Sequence, residues 1–166
     1  MPFGDFDAWR QELLATGDLV QDSDTSVSDD EARRRYDRYV ALADMVDGTE
    51  GPRTVHALIA SLRAEEDYGA HQAIYGALQH FPSEDLVSGM VLASADLLHI
   101  PRDHSGQVLQ LLTLLASSHD LRTFTAACNR LEPELRAGLG ALIADHEDDE
   151  WLSDERSLGR LRLAQD

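Results

Sequence analysis

Apolar residues in this chain recur every three or four positions, and no stretch alternates convincingly with period two. That pattern allows helices packed on helices and leaves little room for a half-buried sheet. It is clear in the stretch EEDYGAHQAIYGALQHFP from Glu65 to Pro82. Here Ala70, Ile74, Ala77 and Leu78 share one face, which Phe81 continues, and Pro82 ends the helix. A second stripe, Tyr68, Gln72, Tyr75 and Gln79, runs beside the first. It is polar but aromatic, a composition suited to a contact surface.

The same reading extends along the chain. A short helix is expected over 5–16, with Phe6, Trp9 and Leu13 on one side, followed by a loop of turn composition at 17–28. Ser28 is a natural cap for a helix whose first turn holds Asp29, Asp30 and Glu31. Arg33, Arg34, Arg35 and Arg38 flank that helix, and Asp29, Asp30 and Asp37 are their expected partners. Beyond the break at 48–54, helices are expected over 52–64, 68–80, 84–98, 105–117, 119–130 and 133–146. HEDDE at 146–150 reads as a charged break and 151–163 as a last helix carrying Leu158 and Leu161. Gly69, Gly76 and Gly89 fall inside these spans, where they suit close packing. The chain is therefore expected to be one all-α domain over 1–166. It divides into N-terminal helices with an acidic loop (1–48), stacked antiparallel helix pairs (49–150) and a C-terminal helix (151–166).

Charge narrows the function classes. The formal net charge is −17, and all fourteen basic residues are arginine. Such a chain repels nucleic acid and anionic membrane and attracts a basic partner over long range. Cys128 is the single cysteine, so neither a disulfide nor a thiol cluster for metal can form within the chain. The start, MPFGDFDAWRQ, lacks the basic and apolar runs of a secretory signal, and no run approaches the roughly eighteen apolar residues that span a bilayer. A cytoplasmic location is expected.

No catalytic constellation emerges. HExxH, GxSxG and the phosphate-loop pattern are all missing from the sequence. Pro101 separates His99 from Asp103 and His104, so these do not share one helical face. Cys128, in step with Phe124 and Leu131, reads as a small core residue. His71 and His80 are expected to be partly exposed. No cofactor and no metal are expected, and enzymatic activity is not. Two contact surfaces remain. One is the acidic turn and its stripe: Glu65, Glu66, Asp67, Tyr68, Gln72, Tyr75 and Gln79. The other is Glu147, Asp148, Asp149 and Trp151, although Trp151 better suits an anchor of the last helix to the core.

Helix lengths and short turns suggest a repeat, and Gln72, Ile74, Tyr75 and Ala77 align with Gln107, Leu109, Gln110 and Leu112, 35 residues on. The run TVHALIASLRAEEDYGAHQAIYGAL resembles a HEAT-type unit, a helix ending in leucines, an acidic turn, and a second helix with spaced alanines. Its second half is similar to HEAT-like immunity proteins of bacterial polymorphic-toxin and contact-dependent inhibition systems. Where HEAT units often enter the second helix with Val-Arg, this chain has Gly69-Ala70-His71. The resemblance implies an α-solenoid or right-handed helical superhelix that binds a cognate toxin domain and occludes its active site or substrate groove. A basic toxin, for instance a nuclease, would suit the charge. The alternative is a HEAT-like adaptor or regulatory scaffold for an endogenous protein.

Overall fold

The computed structural model describes residues 4–164, and nine α-helices account for the regular structure among them. They are α1 (Phe6–Thr16), α2 (Asp29–Asp44), α3 (Pro52–Ala60), α4 (His71–Leu78), α5 (Ser83–Leu92), α6 (Ser94–Leu97), α7 (Arg102–Leu115), α8 (Ser118–Cys128) and α9 (Pro133–Asp149). No strand occurs among the described residues, so the chain is all-α. No described helix is long and apolar enough to cross a membrane.

Local chemistry sets the boundaries. Asp5 caps α1 by accepting from the amides of Asp7 and Ala8, and Ser28 caps α2 through the amide of Glu31. Ser117 and Asp120 form a reciprocal capping box at α8. The Asp120 carboxylate also accepts from the Ser83 hydroxyl at 2.8 Å, which ties the start of α8 to the start of α5. Hydrogen bonds from both serines hold the Asp120 carboxyl below its ordinary range.

Three expected spans change. The helix expected from residue 68 begins at His71, because Tyr68 (φ 50°) and Gly69 (φ 88°) are left-handed and cannot enter a right-handed turn. The span 84–98 breaks at Ala93, where the Ser94 hydroxyl turns back to donate to the carbonyl of Val91 at 2.8 Å. Residues 151–163 do not form a helix. They run as successive turns, with Gly159 at φ 76°. Tertiary anchors replace the helical ladder there. Gln110 donates to the Trp151 carbonyl, the Thr113 and Ser157 hydroxyls meet at 2.8 Å, and Arg160 donates to the Thr113 carbonyl. Leu152 and Leu161 are buried by this strap, whereas Leu158 is exposed. Conversely HEDDE is no break, since α9 continues through Asp149.

The core is one continuous cluster. Its most extensive contact lies between α3 and α5, and α5 passes on to α8. α1 packs on both α2 and α3, α2 on α4, and α7 on α9. Trp9 joins the first pair by donating from its indole N–H to the Leu42 carbonyl at 3.1 Å. Arg38 adds two 2.7 Å bonds to the Glu12 carboxylate, although both partners are half exposed and add little to stability. Arg34 pairs with Glu31, and Arg35 donates to the Asp18 carbonyl. These arginines thus find partners other than Asp29, Asp30 and Asp37, because helix geometry and the packing of α1 bring different acids within reach.

Candidate functional site

The acidic turn Glu65–Asp67 leaves α3 and is held by contacts from far along the chain. Gln21 grips it with both ends of its amide: Nε2 donates to the Glu66 carbonyl and Oε1 accepts from the Glu66 amide, each at 3.1 Å. Next to it, the Asp22 amide donates to the Tyr68 hydroxyl at 3.0 Å, and the Tyr36 hydroxyl reaches the Tyr68 carbonyl at 3.4 Å. On the other side the Asp67 carboxylate accepts from the His71 amide at 3.0 Å and caps the entry to α4. The loop at 17–28, of turn composition in the sequence, is therefore a clasp over the turn. Replacing Gln21 by alanine is expected to raise amide hydrogen exchange at Glu66 at least tenfold while leaving α3 unaffected. Unchanged exchange at Glu66 would show that the clasp contributes nothing.

The clasp fixes the backbone and leaves the acids outward. Glu65 and Glu66 are exposed, and neither forms an ion pair among the described residues. Tyr68 is 46% exposed, and Gln72 and Gln79 are exposed as well. Tyr75 is not available to a partner. It is only 8% exposed, and its hydroxyl lies 3.0 Å from Nδ1 of His104 on α7. The stripe read from the sequence turns inward at Tyr75 alone, where its hydroxyl meets His104 of α7, while Gln72 and Gln79 stay outward.

Beneath the turn lies a buried histidine pair. His71 is fully buried, not partly exposed as its polarity suggests, and His104 is also buried. Nε2 of His104 sits 3.0 Å from the Ala64 carbonyl and 3.2 Å from Nδ1 of His71. A carbonyl only accepts, so His104 carries a proton on Nε2 and His71 presents Nδ1 as an acceptor. The rings meet edge to face at 4.3 Å. Burial, reinforced by the neighbouring His104, lowers the His71 pKa to about 4, against an opposing pull from Asp67. His99, Asp103 and His104, which Pro101 separates in the sequence, do not come together. His104 points into this pair, the exposed His99 bonds the Ala95 carbonyl, and no group of three or more potential ligands converges among the described residues.

The second expected surface turns mostly inward. Glu147 accepts from the Gly159 amide and from Arg162 Nε, both at 2.7 Å, and its side chain is buried. Trp151 packs its ring against Gly106 of α7, where an added Cβ would lie 2.2 Å from Cδ1. Asp148 is exposed beside a groove of about 730 Å³ between α9 and residues 162–164. The side chain of Asp149 lies outside the described residues. His146, fully buried, bonds Glu150 at 2.9 Å, and Glu150 pairs with Arg102 at 3.1 Å. Glu147 and Trp151 therefore hold the strap in place and are removed from the candidate contact set. Cys128 is buried, and burial pushes its thiol up to about 12, far from a reactive thiolate.

Sequence reasoning missed a crevice of about 340 Å³ between the clasp, α2 and Tyr68. Its members lie apart in sequence, and Tyr36 reads as an ordinary residue of the apolar face of α2. Compared with protein-family models, curated proteins and solved structures, the chain matches none.

Proposed function

We propose that this protein binds a basic protein partner through the turn at 65–68, in the manner of an immunity protein that neutralises a toxin domain by covering its active site or substrate groove. The observation that carries the reading is the clasped turn, which presents two carboxylates with no counter-ion among the described residues on a backbone pinned from both sides. Preorganised charge of this kind loses little freedom on docking, so more of the electrostatic attraction is realised as affinity. The −17 formal charge would speed the encounter with a basic surface, and carboxylates can occupy the positions that phosphates take in a nuclease groove.

The packing order supports the finer reading of the fold as HEAT-like stacked pairs. α1, α3, α5 and α8 touch in succession, while α2 meets α4 and α7 meets α9, as two layers of a helix stack would. Within that arrangement the turn at 65–68 is the link inside the pair α3 and α4.

The test is co-expression with a toxin encoded beside this chain, which is expected to rescue growth through a complex that survives purification. Reversing Glu65 and Glu66 to arginine is expected to slow association about tenfold at low salt and to flatten its salt dependence. Absence of a complex at low salt would end the proposal. Unchanged association by the reversed variant would remove the turn from the interface.

A further inference from the structure

The crevice beside the turn has a composition that selects for one kind of side chain. Leu19, Val20 and Ala32 supply apolar surface, and Tyr36 and Tyr68 supply aromatic rings. The Tyr68 hydroxyl already accepts from the Asp22 amide and the Tyr36 hydroxyl already donates to the Tyr68 carbonyl. What remains for a visitor is ring surface and the lone pairs of the two hydroxyl oxygens, which only a donor can use. Charge at the crevice comes from Asp22 and Asp37, opposed by the single guanidinium of Arg33. Arg33 is exposed and forms no ion pair among the described residues. The surroundings are acidic too, with Asp18 and Asp24 in the clasp and Glu65 to Asp67 in the turn.

Tyr68 adds a second, independent sign. It is the one described non-glycine residue with positive φ, and it is an exposed aromatic. A tyrosine in the left-handed region carries a conformational cost that glycine or asparagine would largely avoid, and such outliers concentrate where a side chain must be aimed. Here the backbone places the ring against the crevice, and the clasp holds it there.

We infer that this crevice receives an arginine side chain of the protein partner, its methylene stem on Leu19, Val20 and Ala32, its guanidinium against the Tyr68 and Tyr36 rings and facing Asp22 and Asp37. A planar cation stacks on aromatic faces and bonds carboxylates at once, which no neutral side chain does. The volume has room for one long side chain. This assignment rests on the reading of the turn as a docking site for a basic protein, and it names the anchor within that interface.

The test needs only the purified protein. N-acetyl-arginine methylamide is titrated while amide NMR signals of Asp22, Asp37 and Tyr68 are followed, with the neutral isostere N-acetyl-citrulline methylamide as control. Saturable shifts confined to these residues are expected, with binding at least about fivefold tighter for arginine than for citrulline. Tyr68→Asn keeps a residue tolerant of the left-handed backbone and removes the ring, and it is expected to weaken the arginine probe about fivefold. Asp37→Asn should weaken it as well, whereas Arg33→Gln should strengthen it about threefold by removing the competing cation. No saturable shifts, equal binding of citrulline, or loss of binding in Arg33→Gln would each overturn the assignment, the last by marking an anion site. A crevice that titrates as expected while no toxin binds would remove the toxin reading alone. Toxin binding by a protein whose crevice stays silent would remove the arginine anchor alone.

Discussion

Substituting Gly89 with alanine is expected to destabilise the protein by about 3 kcal/mol, read from urea unfolding. The position lies on α5 where it meets α3, the largest helix contact in the fold. A Cβ there would come within 2.3 Å of Val55 Cβ, 2.5 Å of Val55 Cγ1 and 2.7 Å of the Pro52 carbonyl oxygen. None of these atoms is the free end of a flexible chain. Val55 is branched, fully buried and stiff at χ1, and Pro52 contributes backbone in the first turn of α3. The helices must separate, and because α5 also packs on α8 the displacement reaches a second interface. Gly76 on α4 supplies the control. A Cβ there meets nothing within 4 Å, so Gly76→Ala is expected to gain up to about 1 kcal/mol from helix propensity alone. If Gly89→Ala proved neutral, the close approach of α3 and α5 would be wrong.

Acid is expected to weaken the fold before most carboxylates titrate. His71 has an ordinary pKa near 6.5 in the unfolded chain and about 4 in the fold, so the folded state binds fewer protons between those limits. Stability from this group is fully present above about pH 6.5 and is lost as pH falls toward 4. The loss amounts to about 3 kcal/mol, and burial leaves solvent little scope to screen it. The structural cause is the ring's setting: the neutral ring already carries its proton on Nε2, which has no hydrogen-bond partner among the described residues, and a second N–H could form only on Nδ1, which faces the Nε2–H of His104. Asp67 pulls the other way but stands 3.8 Å from Nδ1. Burial also lowers the His146 pKa, which adds to the same trend. Urea unfolding at pH 7.0, 5.5 and 4.5 reads the slope. His71→Gln should lower stability at pH 7.0 and flatten the decline below it. A His71 ring that titrates near 6.5 by NMR would contradict the prediction.

Periodicity made the helices legible because each apolar stripe is a local property of a dozen residues. The cap at Ser28 and the helix starts at 52 and 133 were legible for the same reason. Residues 151–163 were not. Leu158 and Leu161 sit at helical spacing, but the segment's order comes from partners at Gln110, Thr113 and Glu147, which local spacing does not encode. The turn at 65–68 was legible as an acidic, exposed element. Its clasp was not, since Gln21 and Asp22 lie some 45 positions away in a loop of unremarkable composition. Tyr75 and His71 show the remaining limit. Polar side chains on α4 look like surface until α7 arrives to satisfy them, and the pattern of one helix does not reveal what its neighbour carries.

The strap at 151–163 also bears on what holds the last helix in place. Glu147 on α9 accepts from the Gly159 amide and from Arg162, and the Trp151 ring sits against Gly106 of α7. A chain cut before Trp151 would lose all three, leaving a carboxylate that the fold buries without its donors. The segment that forms no helix is thus what fastens the longest one.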